Sequence, residues 1–284
     1  GLLYLYRDAA ELELGMVKMK LLTDNGQKLE QLDMKGLAAV DPAFGNSKVE
    51  LAGAIHAPND GSGNSELFTQ KLTELLLSKG VEFKLGVTAK SFVADGDRII
   101  GLQTDQGILS ADNYVLAMGA WSPFLSRTVG QDLPVYPAKG FSMTFDLKDK
   151  SVAPELGGVD EKTLVAWSPM GNQLRMSSTA QFSGFDVSHK PEDFSAIRST
   201  AKELWPDAAD WDGGKMTAGL RPMTPDGPPI IGKGKKHQNL YYNTGHGHMG
   251  WTMASGSSAA LVDIIAGRTP EIAMDPFVVR SYRK

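Results

Sequence analysis

Apolar positions along this chain follow two periods, and the switches between them mark out its elements. In 65-SELFTQKLTELLLS-78, Leu67, Phe68, Leu72, Leu75 and Leu76 keep to one side of a 3.6-residue turn, which predicts a helix. Ser65 is the expected N-cap, because its hydroxyl can accept from first-turn amides, and Gly80 is the expected stop. A strand over Val81–Leu85 would follow, so the block reads helix, glycine, strand, as in layered α/β folds. Downstream, 90-KSFVADGDRIIGLQTDQGILSADNYVLAMGA-120 reads as short alternating strands joined by turns at 95-DGD-97 and 105-DQG-107. Its last strand, Tyr114–Ala117, is apolar throughout and is expected to be buried on both faces. Gly119 breaks it before a short helix in 121-WSPFLSRTVG-130.

The same reading extends to both ends. A strand in 1-GLLYLY-6 precedes a helical stretch over 9–22. A second strand-rich block runs through 134-PVYPAKGFSMTFDL-147 and 163-TLVAWSPMGNQLRMSSTAQF-182, where Gly171-Asn172 separates two alternating runs and predicts a hairpin. In 191-PEDFSAIRSTAKELW-205, a proline start and the stripe Phe194, Ile197, Ala201 and Leu204 predict another helix. The run 215-KMTAGLRPMTPDGPPIIG-232, the apolar stretch 239-NLYYN-243, a final helix and a polar tail complete the chain.

Composition narrows the function classes. A chain of 284 residues, 42% hydrophobic, can bury a large core and is more in keeping with two domains than one. Its net charge is −4 and no basic block interleaves with aromatics, so the electrostatic footprint of nucleic-acid binding is missing. The absence of cysteine excludes disulfides and thiolate chemistry and fits a reducing, cytoplasmic compartment. The five histidines show no spaced partnership with carboxylates, so no metal site is expected. No apolar run approaches the roughly 20 residues of a membrane span, and no signal peptide is visible. The chain begins at Gly1 rather than Met, which reads as a tag remnant, a processed product or a fragment.

One motif points toward chemistry. Gly245-x-Gly247-x-x-Gly250 has dinucleotide-binding spacing and sits between a strand and a helix. A complete fingerprint also needs a second buried strand ending in an acidic residue about 20 positions on. Glu271 stands near that distance, but 270-PEIAMDPFVVRSYRK-284 offers no such strand. The motif is therefore not a primary nucleotide grip. It remains either a helix N-terminus able to face an anionic group, or a glycine turn used only for tight packing. Arg221, in 219-GLRP-222, has the planar fork that suits a carboxylate, but it could equally bond backbone carbonyls or pair with Asp226. Ala117, Gly119 and Ala120 are small enough for backbone to approach a ligand closely.

The runs 219-GLRPMTPDGPPIIG-232 and 243-NTGHGHMGWTMASG-256 resemble the C-terminal region of FAD-dependent D-amino-acid dehydrogenases. These belong to the wider D-amino-acid oxidase, glycine oxidase and sarcosine oxidase family. The resemblance extends through 1-GLLYLYRD-8, 66-ELFTQKL-72, 115-VLAMGAWSP-123 and 134-PVYPAKG-140, in the same order. It implies an α/β and α+β fold: a truncated FAD-binding domain with a mixed sheet and helices, interleaved with an antiparallel-sheet substrate domain. Residues 1–54 with 131–218 would form the substrate domain, and 55–130 with 219–284 the remainder of the FAD-binding domain.

The resemblance also assigns roles. The glycine turn becomes a late flavin contact, with Gly245, Gly247, Met249, Gly250, Trp251 and Thr252 on the cofactor. Ala117, Gly119 and Trp121 would run beside FAD, with Ala89 on the neighbouring strand near the adenine. Arg221 would bind the substrate carboxylate. His246 and His248 would offer a donor or cation where reduced flavin carries negative charge. His56, Tyr136 and Lys139 would line the substrate side, although 59-NDGS-62 departs from the acidic pair and threonine common in the family and leaves the substrate side chain open. The implied reaction is oxidation of a D-amino acid to its 2-oxo acid and ammonia, with electrons passed to a quinone or respiratory-chain acceptor and peripheral association with the inner membrane. A relative acting on glycine, sarcosine or hydroxyproline, or a non-catalytic subunit needing a partner chain, are the alternatives. The family's first GxGxxG is absent: 61-GSGNSE-66 fails at its sixth position. The expectation is that this chain alone holds FAD weakly or not at all, and that Tyr114–Ala117 presents an open edge.

Overall fold

A computed structural model describes residues 1–280; residues 281–284, the end of the predicted polar tail, lie outside the described residues. The first third of the chain forms β1 (Leu2–Tyr6), α1 (Ala9–Lys18), α2 (Lys20–Asp24), β2 (Glu30–Leu32), α3 (Met34–Val40), β3 (Gly53–Ala57) and α4 (Ser65–Ser78). Next come β4 (Ala89–Asp95), β5 (Arg98–Thr104), β6 (Gly107–Leu109), β7 (Tyr114–Leu116) and α5 (Ser122–Arg127). Then follow β8 (Tyr136–Asp146), β9 (Gly157–Asp160), β10 (Val165–Met170), β11 (Gln173–Gln181) and α6 (Ser195–Leu204). The chain continues through β12 (Lys215–Met223), β13 (Ile230–Lys233), β14 (Leu240–Thr244) and α7 (Gly250–Ile265). It divides into two compact units, the first of 1–72, 140–181 and 187–219, the second of 73–139, 182–186 and 220–284. The boundaries at 139 and 219 fall inside β8 and β12.

In the first unit the strands belong to a sheet ordered β12-β8-β11-β10-β9-β1-β3-β2. It is mixed rather than purely antiparallel, because β1 runs antiparallel to β3 and parallel to β9. The alternation that predicted β10 and β11 puts Val165, Trp167, Leu174 and Met176 into the core, and the Gly171-Asn172 turn sets their register. Trp205 packs edge to face on Phe44 and on Trp167 at centroid distances of 5.5 and 5.1 Å, and Phe44 lies tilted against Trp167 at 6.0 Å. Arg7, just past β1, donates from Nε and Nη2 to the carboxylate of Asp160 at 3.0 and 2.5 Å and from Nη1 to Glu203 at 2.8 Å. Asp160 is fully buried and also accepts from the amide of Lys162 at 2.9 Å. This fork ties β1 to the end of β9.

In the second unit, β13, β14 and β7 form one small sheet and β4, β5 and β6 another. Period-2 alternation sorts the first sheet's residues between two apolar layers. Tyr114, Leu116, Ile230, Leu240 and Tyr242 join the cluster with Phe92 and Ile99, whereas Ile231 and Tyr241 pack with Leu261 of α7. Buried Asn239 couples the two sheets, accepting from Ile99 N–H at 2.8 Å and donating to the carbonyls of Ile99 and Asp112 at 2.9 Å each. The hairpins at Gly96-Asp97 and Asp105-Gln106 form where the turn residues predict them.

Several expectations are corrected. α4 forms, but Asn64 rather than Ser65 caps it, with Asn64 Oδ1 accepting from Leu67 N–H at 3.0 Å. No residue of α4 is buried, so its leucine stripe faces no layer among the described residues. Val81–Leu85 is not a strand: Val81, Phe83 and Leu85 are exposed, and a strand needs a neighbour to supply its ladder. β7 is buried on one face only. Val115 is 47% exposed, and β7 stands at the end of its sheet with β14 as its partner.

Asp160→Ala leaves the Arg7 guanidinium, which is largely buried, without its main acceptor. Urea unfolding is expected to show a loss of about 3 kcal/mol or more, and a loss below about 1 kcal/mol would mean that the fork contributes little.

Candidate functional site

Three segments of the second unit meet at the ends of its strands. β12 ends in Leu220-Arg221-Pro222-Met223, and the Pro222 carbonyl accepts from the amide of Gly247 at 2.9 Å. β7 leads into Gly119, where an added Cβ would lie 3.8 Å from Pro222 Cγ. β14 ends at Thr244, whose hydroxyl donates to the Gly119 carbonyl at 3.1 Å and lies 2.9 Å from Ser122 Oγ. The glycines at these junctions have positive φ: +55° at Gly119, +81° at Gly245 and +56° at Gly247. At Gly245 a Cβ would sit 2.8 Å from Thr224 Cγ2, so packing as well as backbone conformation selects glycine there.

Beyond the turn, α7 runs for 16 residues from Gly250 with Met249 at its N-cap and no side-chain capping bond. Its first turn carries no acidic residue, and Met249, Trp251 and Thr252 are exposed. The positive end of a helix is thus presented without a competing carboxylate. At Gly250 a Cβ would meet only His246 Cβ at 3.6 Å, an ordinary contact, so packing within the chain does not explain this glycine. Just before the turn, Asn243 Oδ1 is buried without a hydrogen-bond partner, an acceptor that a bound group or water would satisfy. A glycine-lined turn, an uncapped helix end and an orphaned acceptor fit a planar group with an anionic edge, as a flavin ring is.

Arg221 is half-buried, and burial lowers the pKa of its guanidinium. A cation so placed gains from an anion more than a fully solvated one does. His246 Nε2 lies 3.0 Å from Ser257 Oγ, and burial lowers the pKa of its ring, so at neutral pH it is an uncharged hydrogen-bonding group rather than a cation. His248 is exposed on the same turn.

The other expected site residues divide. Ala117 follows β7, and Trp121, 48% exposed, lies in the turn that Gly119 opens. Ala89 is not on a strand neighbouring β7. It begins β4 in the separate β4-β5-β6 sheet, paired with Thr104, because the β4–β5 hairpin closes on itself. His56 belongs to the first unit, where its Nδ1 lies 3.4 Å from Glu30 Oε2. Tyr136 stacks on Phe182 at 5.9 Å, and buried Lys139 donates to Asp186 Oδ2 at 3.5 Å. Sequence reasoning ended a strand block at Phe182 and left 183–186 unassigned. Phe185 in that segment packs on Trp121 and Phe124 at 5.8 and 5.0 Å. The signal available was a pair of aromatics three apart in a glycine-containing loop. Thr244 and Ser122 were missed as well, since a small hydroxyl residue leaves no periodic trace.

The family model described as DAO, FAD dependent oxidoreductase, matches residues 1–264. A protein named D-amino acid dehydrogenase 2 from Mesorhizobium japonicum is 42% identical over 273 residues, 96% of this chain and 65% of that protein. A D-amino acid dehydrogenase from Paramagnetospirillum magneticum is 40% identical over 97% of this chain and 65% of its own length. The chain therefore spans 65% of the length of each of these curated relatives. The crystal structure of glycine oxidase from Geobacillus kaustophilus superposes with a TM-score of 0.89 at 22% identity, covering 100% of this chain and 75% of that one. The fold is shared with that oxidase, and the chain belongs to the DAO family of FAD-dependent oxidoreductases.

Proposed function

We propose that this chain takes part in oxidising a D-amino acid to its imino acid, which water then converts to a 2-oxo acid and ammonia. Two relatives at 42% and 40% identity that bear the name D-amino acid dehydrogenase support the substrate class. The observation that carries the reading is the hydrogen bond from Gly247 N–H to the Pro222 carbonyl, which ties the strand bearing Arg221 to the glycine turn. Bound FAD supplies the hydride-accepting chemistry. Gly245, Gly247, Gly250 and the start of α7 would hold its ring, with Gly119 and Trp121 beside them.

Arg221 binds the substrate carboxylate through its fork and so fixes how the α-carbon is presented. His246, uncharged and hydrogen-bonded to Ser257, offers hydrogen bonding without adding a fixed charge. Tyr136 and Lys139 border the substrate side. No side-chain nucleophile is required, and orientation and electrostatics are the protein's contribution. Electrons then leave to a quinone-type acceptor at a membrane surface. Among the described residues no helix is long and apolar enough to cross a membrane.

Assayed with D-alanine and an artificial quinone, Arg221→Lys is expected to raise KM about thirtyfold, equivalent to about 2 kcal/mol, because it keeps the charge but loses the fork. Unchanged kinetics in both Arg221→Lys and Arg221→Ala would sink the reading. Gly250→Val is expected to leave the melting temperature nearly unchanged while weakening FAD binding by about tenfold or more, since its Cβ has room within the chain. Gly247→Ala is expected instead to cost stability of about 1–2 kcal/mol, because φ is +56° and the new Cβ would lie 3.1 Å from Met223 Sδ. Equal flavin loss and destabilisation in the two variants would remove the distinction. Burial lowers the pKa of His246 below 6.5, so between the lowered value and 6.5 the unfolded chain binds more protons. Its contribution to stability is complete above pH 6.5 and declines as pH falls below it, and denaturant titrations of His246→Asn should show a flatter decline.

A further inference from the structure

The first unit contains a cavity of about 450 Å³ beside α1, whose lining joins the apolar Leu14 and Met19 to Tyr6, Gly15 and four charged residues, Glu11, Lys18, Glu161 and Lys162. Its volume falls in the roughly 300–1,000 Å³ range of small-molecule sites. Tyr6 forms its floor. Only 6% of this residue is exposed, and α1 can pass over it because residue 15 is glycine: a Cβ there would lie 2.3 Å from the Tyr6 hydroxyl. Burial, with the nearby Glu161 carboxylate as the next cause, pushes the phenol up to about 12, so it is present as a neutral O–H donor. Glu161 is half-buried, and burial raises its pKa against the opposing pull of Lys18.

The charges around this cavity do not neutralise one another by contact. Lys20 pairs with Asp24 at 2.5 Å and Lys28 with Glu30 at 2.6 Å, yet among the described residues no ion pair joins Glu11 or Glu161 to Lys18 or Lys162. A site for a simple anion would not place a half-buried carboxylate at its wall. A site for a cation alone would not include two ammonium groups. A metal would need converging oxygen or nitrogen donors, and among the described residues no such group is found. What satisfies both signs at once is a ligand that carries both.

We infer that this cavity binds a small zwitterion, a free amino acid, with its ammonium toward Glu161 and Glu11, its carboxylate toward Lys18 and Lys162, and the Tyr6 hydroxyl as a further donor. The inference is independent of the flavin reading and concerns a binding site apart from Arg221.

Calorimetric titration of the whole chain with L-alanine, propionate and ethylamine tests it. Saturable binding of L-alanine is expected, with each half-ligand weaker by about tenfold or more. Glu161→Gln should weaken L-alanine by about tenfold and Tyr6→Phe, which keeps the ring against Gly15, by severalfold. Arg221→Lys should leave this binding unchanged. If Glu161→Gln does not fold, Lys18→Gln on the exposed side of α1 gives the same reading. The inference is overturned by any of three results. One is no L-alanine binding up to about 50 mM, well above the millimolar constant expected of a small polar site. Another is binding that survives both charge variants. The third is binding lost only in Arg221→Lys, which would assign it to the other site.

Discussion

The hydrogen bond from the amide of Gly247 to the carbonyl of Pro222 fixes the second unit's functional end. It joins two segments that each present a candidate group: an arginine on the strand end and an uncapped helix start on the turn. The bond requires Gly247 at φ +56°, and it leaves so little space that a methyl group would press on Met223. Thr244 then extends the same tie to Gly119, across 125 positions of sequence. Movement of any one of these segments would move the other two. That is how backbone contacts, rather than side-chain chemistry, set the distance between Arg221 and the start of α7.

The electrostatics of that end differ in kind from those of the first unit. Around the turn, burial weakens the hold of Arg221 and His246 on their protons, and no acidic residue stands in the first turn of α7. In the first unit, by contrast, Arg7 is committed to Asp160 and Glu203, and that fork serves strand assembly. An arginine's chemistry is therefore set by which acceptors the fold brings to it, which the residue type alone does not reveal.

What the sequence disclosed follows the range over which each signal acts. Hairpins at Gly96-Asp97 and Gly171-Asn172 were legible because turn conformation is dictated by the residues in the turn itself. α6 was legible from its apolar stripe, and α7 from the strand and glycine turn ahead of it. The stripe of α4 was legible as a helix, but whether it would be covered depends on what packs against it, and no local pattern encodes that. Val81–Leu85 had the composition of a strand without a partner to pair with. Of the candidate site, Arg221 and the glycine turn were visible because their residue types are demanding. Asn239, Arg7 with Asp160, and the loop bearing Phe185 were not, since they act across 140, 153 and dozens of positions with no spacing rule to betray them.

The division of the chain has a consequence for how it is made. The first unit is assembled from 1–72, 140–181 and 187–219, with all of the second unit's first segment, 73–139, emerging between the first two. β1 therefore leaves the ribosome long before β9, its parallel neighbour, and before the Asp160 carboxylate that Arg7 requires. At synthesis rates of ~5–20 residues per second, the wait between β1 and residue 219 is on the order of ten seconds or more. During that interval Leu3 and Leu5 have β3 and the early core residues Leu37, Phe44 and Leu51 beside them but lack the part of their core contributed by Phe141, Val165 and Met176. Closing the first unit's core therefore has to wait for segments made after the second unit has begun.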